Sequence, residues 1–443
     1  MDMLAQQAVR PSAFLREIAY DDGVLVFNTL TREIVHTKTG LPDVESLTPQ
    51  QSILLQQYGF LTPKGTSQAD EMQKALTLYD QHSEMLYVIL TVATNCDLTC
   101  EYCFENRMSR TPMSTEVLDQ SLDWIESELE SGRYRSFYMI LFGGEPMLKP
   151  DSVERALTRT REICERHGIQ YHPPLLTTNG LLGDEAQYER LRDLGLGYVQ
   201  ITFDGGRDIN NARRQSRNGQ VRDIYGDTLK RLAFMSQNFH VALKLNFAPD
   251  TVESVSELFN DLVALDGLDL TKLTVKPETI AITKPADHVY EEGVFTPDTE
   301  ALAKAFEDIF IKAEKRGLTT DSSAVFNTPC MAFTQSSVLI EPDGELRSCI
   351  SAFGMDEFKT GDVSGNKQAH ALSTTTERIA ELSECVQRSC AFLPMCAGGC
   401  PYEKVLTTQD AKGILCRLNY FENVLPAYVR QMWRQAPHKL YLT

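Results

Sequence analysis

From Met85 onward the chain alternates short apolar runs with amphipathic stretches. Runs rich in β-favouring residues at 86–93, 136–142, 172–178, 198–204, 240–247 and 271–277 predict strands. The stretches between them, near 114–131, 151–167, 184–194, 221–237 and 252–265, carry apolar residues at helical spacing. Ser114 ahead of Thr115-Glu116-Val117 gives the first of these a capping-box-like start. Six strand–helix units predict a parallel sheet with crossover helices, an α/β fold of the partial (βα)6 TIM-like barrel type. In such folds reactive groups collect at the C-terminal ends of the strands.

The residues before this repeat read as a separate small α+β unit, 1–80. Leu15 to Ile18, Val24 to Phe27 and Arg32 to His36 predict short strands with Asp21-Asp22-Gly23 as a turn, and Pro49 to Tyr58 predicts a helix stopped by Gly59. Asp70 to His82 is polar and helix-prone, as a linker would be. Behind the repeat lies a helix near 299–316, then a cysteine-rich region and a closing helix from Leu415 to Trp433. The expected division is 1–80, 85–320, 325–420 and 421–443.

Composition narrows the partners. Against 43 basic side chains stand 61 acidic ones, a formal charge of −18 over 443 residues, which disfavours nucleic acid and anionic membranes. Met1 to Pro11 lacks the layout of a secretory signal, and no run reaches the roughly 18 apolar residues needed to span a bilayer. Eleven cysteines without an export signal point to metal or redox use in a reducing compartment, hence the cytoplasm.

Three of those cysteines follow the first strand, in Cys96-Asp97-Leu98-Thr99-Cys100-Glu101-Tyr102-Cys103. Thiolates are the usual protein ligands of iron–sulfur clusters, and three of them leave one iron of a cube without a protein ligand. A buried helical stripe at i, i+4 and i+7 is the bland alternative, but Asp97, Thr99 and Glu101 make a poor core helix. A structural zinc site prefers four ligands. The spacing, with an aromatic residue before the last cysteine, resembles the signature of the radical S-adenosylmethionine (SAM) family. The resemblance implies a 4Fe-4S cluster on Cys96, Cys100 and Cys103 that binds SAM and releases a 5'-deoxyadenosyl radical.

Other strand ends carry matching motifs. Gly143-Gly144-Glu145-Pro146 resembles the family's glycine-rich motif, with Glu145 accepting from the amino group of SAM. Thr177-Thr178-Asn179-Gly180 offers Thr178 and Asn179 for ribose or carboxylate contacts. Ile201-Thr202-Phe203-Asp204-Gly205 and Asn210-Asn211-Ala212-Arg213-Arg214 resemble positions lining the active site. The resemblance implies a catalytic role for Asp204 and cofactor binding by Tyr102, Gly143, Gly144, Glu145, Thr178, Asn179, Arg214 and Asn246.

Seven further cysteines crowd into residues 330–416, leaving Cys164 as a core residue of a helix. Cys330, then thirteen residues to Gly344 and four more to Cys349, resembles the first half of the SPASM auxiliary-cluster domain, with Glu341-Pro342-Asp343-Gly344-Glu345 as a hairpin turn. Cys390-x5-Cys396-x3-Cys400 and Cys416 resemble the second half; Cys385 departs from the pattern, with four residues between it and Cys390 where the family usually has two. The resemblance implies one 4Fe-4S cluster on Cys385, Cys390, Cys396 and Cys416 and another on Cys330, Cys349 and Cys400, three clusters in all with the SAM-binding one.

A zinc ribbon is the structural alternative. The pattern Val26-Phe27-Asn28-Thr29-Leu30-Thr31, Leu54 to Tyr58 and Gly59-Phe60-Leu61 resembles a winged-helix-like element that holds a leader peptide by sheet-edge addition; an ordinary cap on the barrel is the alternative. Together these imply a maturase that crosslinks a ribosomally made precursor peptide, fed by a donor such as flavodoxin or ferredoxin. A sulfatase-type maturase forming formylglycine and an electron-transfer or scaffold protein are the competing expectations.

Overall fold

The computed structural model describes residues 8–73, 84–103, 105, 111–280, 298–325, 330–365, 372, 375–408, 410–436 and 438–442. Its front unit has a two-stranded ladder, β1 (Val9–Pro11) antiparallel to β5 (Leu61–Pro63), beside a sheet of β2 (Leu15–Tyr20), β3 (Gly23–Asn28) and β4 (Ile34–Thr37). The turn at Asp21-Asp22 forms as expected, with Asp21 at positive φ and Tyr20 opposite Gly23. The third strand starts later than expected, at Ile34, because Arg32 also sits at positive φ in a turn. The helix Pro49–Gln57 is opened by a reciprocal Thr48–Gln51 cap and closed by Gly59.

The stretch read as a linker behaves otherwise where it is described. Glu71 is buried, accepting from Ser12 Oγ at 2.7 Å and from Arg10 at 3.0 Å; residues 74–83 lie outside the described residues. Near-total burial of that carboxylate is tolerated because both oxygens have partners.

The main sheet runs through β6 (Met85–Ala93), β8 (Ser136–Gly143), β10 (Leu175–Thr177), β11 (Tyr198–Phe203), β13 (His240–Phe247) and β14 (Leu273–Thr279), six neighbouring strands all parallel. Helices at Thr115–Glu130, Pro150–His167, Glu185–Asp193, Ile224–Asn238 and Val255–Ala264 link them in sequence. The third strand is shorter than predicted, because Pro173 and Pro174 lack the N–H a ladder needs. β7 (Leu98–Cys100) pairs antiparallel with β12 (Arg214–Ser216), and β9 (Gln170–Tyr171) joins β8.

Among the described residues the sheet does not close on itself. β15 (Thr319–Thr320) follows β14, and on the far side β16 (Ser337–Ile340) pairs parallel to β6 before turning through Glu341–Gly344 into β17 (Glu345–Arg347) and β18 (Lys359–Asp362). The cysteine-rich region is thus continuous with the main sheet, which is parallel at its centre and antiparallel at one end. The helix Leu418–Gln435 packs on Thr299–Glu314 through Tyr428, whose ring meets Phe306 and Phe310. β19 (Leu440–Tyr441) then returns to pair with β4. Among the described residues no helix is long and apolar enough to cross a membrane.

Where β8 ends, Gly143 has φ near +130, and a Cβ there would sit 2.0 Å from the carbonyl oxygen of Ala93 on β6. Only glycine fits so close an approach of two backbones. Gly143→Ala is therefore expected to destabilise the metal-free chain by about 3 kcal/mol or more, read as a fall in urea midpoint; an unchanged midpoint would mean that the two strand ends separate freely.

Candidate active site and metal centres

The three N-terminal cysteines lie just past the C-terminal end of β6. Cys96 and Cys100 are part-buried against Leu98, Leu181 and Ile224. The segment is more ordered than a simple loop, because Leu98–Cys100 pairs with Arg214–Ser216, Cys100 opposite Arg214. Leu98 N–H donates to Cys96 Sγ at 3.4 Å, and Cys103 N–H closes a turn onto Cys100 C=O at 3.1 Å. Burial raises the thiol pKa of Cys96 and Cys100, and the Arg214 charge offsets it at Cys100.

Arg217 fastens the same segment from 119 to 121 residues away in sequence. Its guanidinium donates to Cys96 C=O at 2.8 Å and Leu98 C=O at 2.6 Å, and its N–H donates to Asp97 C=O at 2.8 Å.

Glu145 is fully buried. Its carboxylate accepts from Met147 N–H at 2.9 Å, Thr178 Oγ1 at 2.8 Å and Asn179 N–H at 2.7 Å, while its own N–H donates to Asn95 C=O at 2.8 Å. The expected contacts therefore run within the chain. Thr178 turns to Glu145, and Asn179 donates to Asp97 at 2.6 Å. Gly143 and Gly144 allow close approach to residues 93–95, where a ligand was the expected neighbour. What remains open beside them is acceptor capacity, since buried Asn95 Oδ1 and Glu105 Oε2 have no hydrogen-bond partner among the described residues.

Burial, against the hydrogen bonds it accepts, pushes Glu145 up to about 7; burial and then the Glu145 charge push Glu105 up to about 8.

Four predicted residues from four segments meet in one network. Tyr102 Oη donates to both oxygens of Asp204 at 2.8 Å. Arg214 reaches Tyr102 Oη at 3.2 Å, and Asn246 Nδ2 reaches Tyr102 Oη at 3.1 Å and Asp204 Oδ1 at 3.3 Å. Asp204 is completely buried with its N–H on Asn210 Oδ1 at 3.1 Å, a placement suited to orienting Tyr102 and Arg214 rather than to meeting a substrate directly. Burial raises the Asp204 pKa against Arg214 and Tyr102; burial would lower that of Arg214, but Cys100, Tyr102 and Asp204 carry it upward.

The other cysteines form two groups. Cys349 feels both Cys330 and Cys400; Cys385 feels Cys390 and Cys416, and Cys396 feels Cys390 and Cys385. Cys164 is buried in the helix core. A cavity of about 380 Å³ opens beside Cys385, Cys390 and Cys416 and is lined in part by Arg16. Arg16 stacks over Phe392 at 4.7 Å, Gln68 Nε2 donates to Cys390 C=O at 3.2 Å, and Thr29 Oγ1 donates to Ala391 C=O, so the front unit grips this loop.

Arg378, buried over the Phe333 ring at 3.8 Å, acts on Cys330 and on Cys385 alike. Sequence reasoning missed Arg217, Arg378, Asn95 and Glu105. A second basic residue three after Arg214 was the only available signal, for Arg217.

Residues 90–234 match the Radical SAM superfamily. That stretch, about a third of the chain, is similar to a radical SAM domain. The matched residues include the cysteine segment, Glu145 and Asp204, and the chain extends well beyond them on both sides. The mycofactocin maturase of Mycobacterium ulcerans is 25% identical over 329 residues, 70% of this chain and 82% of the relative. A PqqA peptide cyclase of Granulibacter bethesdensis is 30% identical over 122 residues, 27% of this chain and 29% of the relative. Among the first curated relatives the match spans 64%, 29% and 29% of their length.

Two solved structures share the fold. The structure titled native anSMEcpe with bound AdoMet and Kp18Cys peptide has a TM-score of 0.60 at 18% identity, covering 78% of this chain and 98% of that one. Streptococcus suis SuiB bound to precursor peptide SuiA has a TM-score of 0.52 at 14% identity, covering 93% and 99%.

A carboxyl with a folded pKa near 7 against an ordinary 4.5 holds its proton more tightly when folded. Its stabilising contribution is present below about pH 4.5 and is lost as pH rises through about 7. The urea midpoint of the metal-free chain is expected to fall between pH 5 and pH 8, with a shallower fall in Glu145→Gln; an identical slope in that variant would show Glu145 already ionised at pH 5.

Proposed function

We propose that this protein is a radical SAM maturase that modifies a ribosomally made peptide. Its main sheet reads as the partial (βα)6 barrel, the cysteine-rich region as a SPASM domain, and the residues before 80 as a leader-binding element. The observation carrying the reading is the convergence, at the ends of neighbouring parallel strands, of a three-cysteine segment, a buried carboxylate and a Tyr–Asp–Arg–Asn network.

The donor chemistry fits the cofactors. Cys96, Cys100 and Cys103 offer three thiols, and the Arg214 charge favours the thiolate at Cys100. The orphaned acceptors Asn95 Oδ1 and Glu105 Oε2 suit an ammonium-bearing ligand. When bound, the cluster and SAM supply one-electron cleavage of a sulfonium and a carbon radical that takes a hydrogen atom from an unactivated C–H bond. Arg217 and β12 hold the cysteine segment in shape, Glu145 and Asn179 fix the neighbouring strand ends, and Asp204 orients Tyr102 and Arg214.

Cys330, Cys349 and Cys400 would hold one auxiliary cluster, and Cys385, Cys390, Cys396 and Cys416 another. A flavodoxin or ferredoxin would provide electrons, and the reducing cytoplasm is the fitting compartment.

A peptide substrate is supported by the names of two relatives, a peptide cyclase and a maturase, and by SuiB, whose structure holds a precursor peptide. SuiB covers 93% of the chain and anSMEcpe 78%, so the fold match extends further with SuiB.

Anaerobically reconstituted protein, reduced and given SAM, should form 5'-deoxyadenosine. Replacing Cys96, Cys100 and Cys103 by alanine should abolish it, and persistence would sink the reading. Cys385→Ala or Cys416→Ala should retain cleavage yet yield no modified peptide on co-expression with a neighbouring precursor; mass spectrometry scores the product, and full product would remove the auxiliary role. A mass change matching a crosslink, rather than conversion of cysteine or serine to formylglycine, decides the reaction.

A further inference from the structure

Arg378 stands where the two groups of downstream cysteines adjoin. It lies on the helix Thr375–Glu381 and is 4% exposed. Its guanidinium covers the ring of Phe333, with Cζ 3.8 Å from the centroid, and Phe333 N–H donates to Cys330 C=O at 3.0 Å. One face thus belongs to the Cys330 group.

Its edge belongs to the other. The guanidinium donates to Ala397 C=O, next to Cys396, and to Gly413 C=O at 3.4 Å, on the approach to Cys416. A Cβ on Gly398, between Cys396 and Cys400, would lie 2.8 Å from Nη2, so the cation packs tightly against the segment that joins the groups.

Two further observations bear on what it does there. A buried guanidinium is costly unless its charge and all its donors are compensated. Glu381 pairs with it at 2.7 Å, but its Nε has no acceptor among the described residues. Burial raises the thiols of Cys330 and Cys385, helped at Cys385 by Cys390, Cys416 and Glu384, and the Arg378 charge opposes it at both.

We propose that Arg378 is a positioning residue shared by both cysteine groups, a fixed buried cation that raises the reduction potential of the metal centre on each, with its Nε–H available to anionic sulfur. A reduced cluster carries one more negative charge than its oxidised form, so a cation in a poorly screened interior favours reduction. That the centres are iron–sulfur clusters rests on the SPASM reading; the position of the cation does not.

Arg417 is the internal comparison. Its charge also acts on both groups, at Cys396 and at Cys400, but its side chain is 21% exposed and Glu403, at 3.8 Å, opposes it at Cys400. Water and that carboxylate screen it.

The test uses the full chain with Cys96, Cys100 and Cys103 replaced by alanine and reconstituted with iron and sulfide, so that only the downstream centres titrate. Iron should reach about eight atoms per chain. In redox titrations followed by EPR, Arg378→Gln should lower both midpoints by about 59 mV, a tenfold fall in the reduced-to-oxidised ratio at fixed potential. Arg378→Lys, which keeps the charge and loses Nε–H, should fall between that variant and unaltered Arg378. Glu381→Gln leaves the guanidinium without its paired carboxylate and should raise both midpoints, and Arg417→Gln should move them less than Arg378→Gln does.

Opposite shifts from Arg378→Gln and Glu381→Gln are what a charge produces and a loss of packing does not. The Glu381→Gln arm stands even where Arg378→Gln fails to assemble its clusters. A shift confined to one centre, shifts of the same sign in both variants, or no shift would overturn the proposal while leaving the SPASM reading intact. Zinc in place of iron would remove that reading and the proposal with it.

Discussion

A carboxylate with no exposure to water holds the ends of three neighbouring strands in register. Glu145 leaves β8 and takes hydrogen bonds from the turn that follows it and from the end of β10, while its own amide reaches back to the segment after β6. A buried carboxyl is costly unless its oxygens are satisfied, so the site selects one arrangement of those strand ends. Asn179 extends the same network to Asp97, between the first two cysteines. Gly143 and Gly144, consecutive at the end of β8, are what permit that backbone to approach Ala93 to Asn95 closely enough for these bonds to form.

A second set of contacts grips the cysteine segment from the opposite side. Arg217 bonds three carbonyls of residues 96–98, and Arg214 faces Cys100 while reaching Tyr102. The segment is thus tied to the Glu145 network through Asp97 and to β12, with its Arg214, along its length. Neutral thiols gain little from this, whereas thiolates gain from the basic side and from backbone donors. Burial still raises both thiols, and the Glu145 and Asp97 charges raise Cys96 further, so the Arg214 charge offsets the effect at Cys100 alone.

Much of the main sheet was legible because Tyr87–Ala93 reads as a near-continuous apolar run and His240–Phe247 alternates buried apolar with part-buried or exposed positions over its first half. The cysteine spacings were legible because local sequence fixes which thiols can meet. Long-range fastening was not. Nothing near Arg217 announces carbonyls some 120 residues earlier, and Arg378 lies on a short helix with no motif of its own. Glu145, Thr178 and Asn179 stood out as polar residues at strand ends, but pattern alone could not tell a ligand contact from a bond between strand ends. The return of β19 to β4 was equally hidden, since a pair of residues carries too little periodicity to read as a strand.

The front unit looks detachable in the sequence, yet its residues share a small apolar cluster with the cysteine-rich region. Phe14 and Met72 lie with Leu382 and Leu393, and Gln68 and Thr29 supply hydrogen bonds to the backbone between Cys390 and Ala391. Removing the first eighty residues would therefore lay bare greasy surface beside a thiol-rich cavity and cut loose the strip of chain carrying Cys390. Evolution could not exchange this unit as a cassette without also retailoring the partner surface some three hundred positions downstream.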